Sequence, residues 1–273
     1  MAIVSVSREI AALGDETAHE IAKQLNFRLV DKDTLEERIK SYGIESRKLE
    51  KYDERKPSFF ASLSQDRDEY LHYLKSAIIT EAEHESCVFI GRGTGMMLKN
   101  MPAHISIFLA APPEIRIERV KDYFHCDERQ ARHIINRSDQ DRLGFHRYFF
   151  DIDWRDPENH HIALNTGIFS PAACAEIVSQ VGSHVFSAEA EAQNTIRLKE
   201  MILEQGIKHH IVYEKEIPIH FLEAAVSGGI VTLYGVASSQ ALIDTALNAA
   251  REVAGSAAVK SDIQAVREYS VMP

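Results

Sequence analysis

The chain has 273 residues and carries 31 Lys plus Arg against 41 Asp plus Glu, a formal net charge of −10. A hydrophobic fraction of 45% beside 26% charged residues belongs to a folded globular chain, and excludes disorder throughout, collagen and coiled-coil arrays. The acidic balance argues against a protein that lives on a nucleic-acid backbone, although a local basic cluster can still hold a small phosphate ligand.

Three cysteines (Cys87, Cys126, Cys174) lie far apart with no Cys-x-x-Cys pair, which is neither a disulfide framework nor a thiolate zinc site. The opening MAIVSVSRE shows no basic leader before a long apolar run, and no apolar stretch approaches the roughly 18 residues of a membrane span. The expectation is a cytoplasmic protein with reduced thiols, neither secreted nor membrane-embedded.

In chain order, Ala2–Val6 is a short β-rich run. Asp15–Leu25 follows with Ala18, Ile21, Ala22 and Leu25 at helical spacing. Phe27–Val30 reads as a second strand ending at Asp31, and Lys32–Asp68 is polar with weak periodicity. Tyr70, Leu71, Leu74, Ile78 and Ile79 mark an amphipathic helix before the buried-strand candidate Cys87–Ile90, which runs into Gly91-Arg92-Gly93. Ile105–Leu109 is a strand stopped by Pro112-Pro113. Helical patterns cover Glu114–Tyr123 and Asp127–Arg137, His161–Leu164 is a last strand, and Pro171–Val181 a helix. Strands separated by helices imply crossover connections, a parallel sheet, and a ligand crevice at the strands' carboxyl ends. Ser7, Asp31, Gly91, Ala111 and Asn165 fall just after those strands.

Residues 1–182 therefore read as one α/β domain, and the small, acidic stretch 183–193 as a linker. Residues 194–273 read as α-β-β-α-β. A helix near Thr195–Gln205 precedes strands near Ile219–Val226 and Ile230–Tyr234, joined by the two-glycine hairpin signal Gly228-Gly229. Ser238 or Ser239 can cap a helix carrying Leu242, Ala246, Ala249 and Val253, which Gly255 ends, and Val259–Val266 closes the set.

The first strand–loop–helix unit is a natural anion site, because a helix's first amides point unpaired into the loop. A P-loop also needs glycines for close backbone approach, a lysine for the outer phosphates and Ser or Thr for magnesium. Here only Gly14 remains and the Lys-Ser/Thr pair is absent. On these residues alone, a phosphate loop and a plain strand-to-helix connection both stand.

Several segments together resemble the cytidylate kinase-like family, relatives of the nucleoside monophosphate kinases. They are Ser7-Arg8-Glu9 before a helix ending AKQLNF, Leu29-Val30-Asp31-Lys32, VFIGRG at Val88–Gly93, IFLAAPPEIRIERV at Ile107–Val120 with Arg116, RSDQDR at Arg137–Arg142, and LNTGIFSP at Leu164–Pro171. The resemblance implies a P-loop kinase-like parallel sheet with flanking helices, and transfer of the ATP γ-phosphoryl group to a nucleoside monophosphate such as CMP or dCMP, with Mg²⁺ arriving on the ATP. It implies catalytic roles for Arg137 and Arg142, and Arg8 is read as a substitute for the missing lysine. Nucleotide or phosphate contacts are expected from Ser7, Gly14, Thr17, Asp31, Arg92 and Asp141, and by position at the helix start from Asp15 and Glu16, with Arg132 and Arg147 extending the cluster. Guanidinium forks suit such a site because they bind phosphate bidentately. RSDQDR read by itself is equally a solvated helix with internal ion pairs.

Departures from the family pattern open a second reading. Ala11 and Leu13 replace loop glycines, Asp15 and Glu16 open the helix where Ser and Thr are usual, and Gly144 replaces a lid arginine. Two carboxylates at a helix N-terminus satisfy its dipole themselves and repel a triphosphate. The alternative is a non-catalytic nucleotide-sensing or assembly protein.

The C-terminal segment resembles the BON family through GGIVTLYGVASS (Gly228–Ser239), the alanine-rich helix and the return strand. This implies a module for protein contact, ligand sensing or self-association. Nothing in it is basic or amphipathic enough for a membrane surface. The pairs His160-His161 and His209-His210 do not chelate by themselves if on strands, where neighbours point to opposite faces. Trp154 and Tyr148-Phe149-Phe150 read as packing.

Overall fold

The computed structural model describes residues 1–43 and 64–266. Contacts divide the chain into two compact units, with the division after Thr195.

The first unit is built on five parallel strands in the order β2-β3-β1-β4-β5: β1 (Ile3–Arg8), β2 (Arg28–Val30), β3 (Cys87–Ile90), β4 (His104–Ala110) and β5 (Ile162–Asn165). The three central strands are buried along nearly their whole length, as in a sheet covered on both faces. Helices α1 (Gly14–Leu25) and α7 (Pro171–Val185) cover one face, and Ile21, Ala22 and Val178 join Val4, Val6, Val88, Ile105 and Ile107 in one core. The remaining helices are α2 (Lys32–Ser41), α3 (Ser64–His84), α4 (Thr94–Met97), α5 (Pro113–Phe124) and α6 (Glu128–Phe150). The chain is thus an α/β protein with a parallel sheet and flanking helices, as the alternating pattern implies.

Three differences from the sequence pattern have clear causes. The polar stretch after Asp31 contains α2, because Asp31 Oδ1 accepts from the Thr34 amide (2.9 Å) and caps it; residues 44–63 lie outside those described. The RSDQDR segment is part of the continuous 23-residue α6, started by a capping box between Asp127 and Gln130. The presumed linker is helical: α7 runs to Val185 and α8 (Ala188–His209) begins after Ser187, whose Oγ accepts from Ala190 N (3.2 Å). Alanine, glutamate and glutamine are strong helix formers, so a small and acidic composition does not imply an open chain.

The second unit follows α-β-β-α-β: the end of α8, strands β6 (His220–Ser227) and β7 (Ile230–Ala237), helix α9 (Gln240–Ala254) and strand β8 (Ala258–Ala265). Strand order is β6-β7-β8, with β7 antiparallel to β6 and parallel to β8. Gly228 and Gly229 both hold positive φ (56° and 78°), the backbone that a two-residue hairpin requires. Ile243, Ala246 and Ala250 of α9 pack against Val231 and Leu233 of the sheet, with Ile207 and Ile211. His210 lies in a π-helical turn and is paired with Glu214 (2.5 Å) and Glu252 (2.9 Å). The pairs tie this turn to α9 through Glu252; among the described residues, no group of three or more His, Cys, Asp or Glu is placed to hold a metal ion. No described helix is long and apolar enough to cross a membrane.

One buried charge fastens α3 to the sheet's edge. Glu81 accepts from Arg28 (2.7 Å) and Arg38 (2.5 Å), joining β2, α2 and α3. Burial pushes its carboxyl upward, but the hydrogen bonds from Arg38 and Arg28 prevail and hold it below the usual carboxylate range. Its contribution is therefore present above the unfolded value near pH 4.3 and is lost as pH falls through the lower folded value. Glu81→Gln is expected to lose about 1.5–3 kcal/mol at pH 7. In urea unfolding followed by circular dichroism, its stability should fall less steeply than wild type between about pH 5 and 3; parallel pH curves would count against the clamp.

Candidate functional site

The carboxyl ends of β1, β4 and β5 meet the loop Glu9–Leu13 that leads into α1. Glu9 N bonds to Leu109 O (3.0 Å), and Thr17 N bonds to Leu13 O (3.0 Å), so the helix begins with its first amides turned to the loop. The two positions that break the glycine-rich pattern are the informative ones. Ala11 (φ 60°) and Leu13 (φ 50°, ψ 40°) both lie in the left-handed region. The loop thus has the backbone that glycine favours, at positions that lack glycine, at a strain of about 1–2 kcal/mol per residue.

Two arginines on α5 hold it there. Arg116 is almost wholly buried: Nε donates to Ile10 O (2.9 Å), Nη1 meets Glu9 Oε1 (3.1 Å), and the fork binds both oxygens of Asp139 on α6 (2.7 and 3.1 Å). Arg119 donates to Ala11 O (2.9 Å) and to Thr166 O after β5 (2.7 Å). Three residues apart, they share one face of α5. Glu9 also accepts from Ala111 N (3.3 Å); burial raises its carboxyl above the ordinary value despite Arg116.

The last residue of β1 supplies the cation nearest the helix start. Arg8 crosses the first turn of α1 so closely that a Cβ on Gly14 would sit 2.2 Å from Arg8 Cγ. Its guanidinium reaches Asp15 (3.6 Å). Asp15 and Glu16 are exposed, so neither carboxylate seals the bend.

Two cavities open around this turn. The larger, about 950 Å³, lies between the loop and helices α5 and α6, with Arg8, Gly14, Asp15, Glu16, Arg137, Asp141 and Arg142 in its lining. The smaller, about 370 Å³, lies at the ends of β2 and β3 and includes Asp31, Lys32 and Arg92. Arg8, Asp15 and Arg142 line both. The larger is of small-molecule size.

Other expected site residues are placed elsewhere or committed. Thr17 is fully buried and donates its hydroxyl to Leu13 O (2.6 Å). Ser7 lies inside β1, in register with Phe108, and lines neither cavity. Arg132 is exposed and pairs with Glu128 one turn earlier (2.7 Å), and Arg147 is exposed; neither lines either of these two cavities. The charge on Arg92 is matched by Glu36 (2.8 Å). Trp154 packs edge-on against Phe108 (5.3 Å), and a Cβ on Gly93 would meet the Phe150 ring at 2.2 Å.

A parallel α/β sheet whose first strand–loop–helix turn adjoins two cavities at the strands' carboxyl ends is a frame for binding a small molecule. Residues 3–168 match the Cytidylate kinase-like family, and the chain belongs to that family; residues 200–267 match the BON domain. No curated protein matches the chain. Among solved structures it is similar to an uncharacterized protein from Eubacterium ventriosum, at 22% identity over 67% of this chain and 98% of that one, with a TM-score of 0.55. Shikimate kinase from Bacteroides thetaiotaomicron is 14% identical over 66% of this chain and 97% of its own (TM-score 0.40). A gluconokinase from Sinorhizobium meliloti is 12% identical over 68% and 95% (TM-score 0.42).

Removing Arg116 leaves the carboxylates of Glu9 and Asp139 without their main partner. Arg116→Ala should destabilise the protein by about 3–5 kcal/mol in urea unfolding, and Arg116→Lys should recover little, since an ammonium cannot serve Asp139 as a fork. Full stability in Arg116→Lys would show that charge alone, without the fork, holds the loop.

Proposed function

We propose that the first unit binds a nucleoside triphosphate in the larger cavity and passes its γ-phosphoryl group to a nucleoside monophosphate, CMP or dCMP, in the smaller. The observation that carries this is the shared wall: residues that line both cavities stand where a group moving from one to the other must pass. Two of the three, Arg8 and Arg142, are cations. In such a transfer an oxygen of the acceptor phosphate attacks the γ-phosphorus while the bond to the β-phosphate oxygen breaks and the diphosphate leaves. The work of the protein is alignment and neutralisation of spread negative charge. Arg8 and Arg142 neutralise the group in flight. Arg137, exposed on α6 and lining only the donor cavity, reaches the donor phosphates. Asp31, whose carboxyl is held low chiefly by the Thr34 amide, and Arg92 belong to the acceptor side.

Magnesium, which prefers oxygen donors, neutralises the phosphates when it arrives on the triphosphate. Thr17 is unsuited to it because its side chain is wholly buried and lines neither cavity. The exposed carboxylates of Asp15 and Glu16 on the cavity wall are the residues that would hold it, so the acidic pair supports a metal–nucleotide complex rather than a bare one.

The burial of Thr17 away from both cavities and the strained loop favour a second reading, in which nucleotide binds without turnover. We place the protein in the cytoplasm, with the BON unit as an interaction or sensing module. Labelled ATP offered with a panel of monophosphates should give labelled CDP or dCDP; nucleotide binding without product would establish the second reading. Arg8→Ala should cut kcat/KM about a hundredfold or more. Gly14→Ala, which displaces Arg8, should cost as much, and the double variant no more than either. Losses that add would show that Arg8 does not act from over Gly14.

A further inference from the structure

We infer that the aromatic pair Tyr123–Phe124 at the end of α5 is the platform on which the donor's nucleobase stacks; this rests on the reading of the larger cavity as the triphosphate site. Both side chains line that cavity, and neither lines the smaller one. Both are left in water: Tyr123 is 80% exposed and Phe124 49%. Single exposed aromatics are ordinary, but two adjacent ones on the wall of a cavity form a patch.

Their position follows from helix geometry. Arg119, one turn earlier, reaches the loop at Ala11 O. At 1.5 Å per residue, Tyr123 stands about 6 Å farther along the helix axis from that contact. Val120, three and four residues before the pair, is buried in the seam with Ala131 and Ile135. The pair would continue that apolar face, but α5 stops at His125, in the left-handed region (φ 51°), and the chain turns into α6. The apolar surface is therefore left uncovered where the cavity lies.

The pair's geometry suits stacking. The rings are edge-to-face, with centroids 4.8 Å apart and planes at 74°, an arrangement that leaves ring faces open. The phosphate chain belongs beside Arg8 and Gly14, and the base, the one flat apolar part of the donor, belongs face-on to one ring with its edge against the other. Stacking reads the π-face and not the hydrogen-bonding edge, so the platform takes purine and pyrimidine triphosphates alike.

The test is calorimetry on the full chain with Mg²⁺ and three probes: ATP, GTP and inorganic tripolyphosphate. Tyr123→Ala and Phe124→Ala should each weaken ATP and GTP about tenfold, the lower part of the range for one base on one ring. Tripolyphosphate affinity should not change, and Tyr123→Phe should bind all three as wild type does. Unchanged ATP affinity in both alanine variants would overturn the inference and leave the triphosphate site standing. Equal losses for ATP and tripolyphosphate would overturn it too, since the rings would then be supporting the phosphate end. Wild-type protein that binds neither ATP nor GTP would remove the site and the platform together.

Discussion

The site depends on one guanidinium. Arg116 joins the loop after β1, through Glu9 and Ile10, to α6 through Asp139, and it does so from α5. Three segments distant in sequence are thereby fixed around one planar group with its N–H bonds in set directions. Buried ion pairs add little net stability, because desolvation cancels much of the attraction, but their geometry is exacting. That geometry is what the turn needs. Ala11 and Leu13 sit where an L-residue resists being, and Arg116 and Arg119 seize the carbonyls of Ile10 and Ala11 and keep the chain from relaxing. A glycine-rich loop adopts its shape because glycine permits it; this loop is compelled by its neighbours.

That difference explains what the sequence reveals and what it hides. The parallel sheet is legible because Cys87–Ile90 is apolar without interruption and Ile105–Leu109 is broken only by Ser106, as suits strands covered on both faces. The Gly228-Gly229 hairpin is legible because two successive positive φ values all but demand glycine. Arg8, Arg142, Asp15 and Asp31 can be picked out because they follow strands or sit in a charged segment, and they do line cavities. Arg119, which grips the loop, carries no local signal: its partners lie 108 and 47 residues away, at Ala11 and Thr166. Arg132 looks as suitable as Arg137 on paper, yet five residues along a helix turn it to another side, where Glu128 takes it. Thr17 misleads for the opposite reason, since a hydroxyl at a helix start is as ready to serve its own backbone as a ligand.

The charge pattern fits this picture. The chain is acidic overall at −10, yet Arg8, Arg119, Arg137 and Arg142 converge on the larger cavity. Acidic groups are present in the same walls, and the buried ones are not idle: Glu9 is bound to Arg116 and to the Ala111 amide. The cavity is better described as a patterned surface than a basic patch, with cations at the turn and aromatic rings at the end of α5.

Arg8 belongs to a strand. Its backbone is locked in register with Leu109 in the middle of the sheet, and only its side chain leans out over Gly14. A lysine on a helix or loop moves whenever that element moves; this cation is anchored in the stiffest layer of the unit. The turn can therefore carry alanine and leucine at its left-handed positions while the strand keeps the positive charge at the place where the two hollows meet.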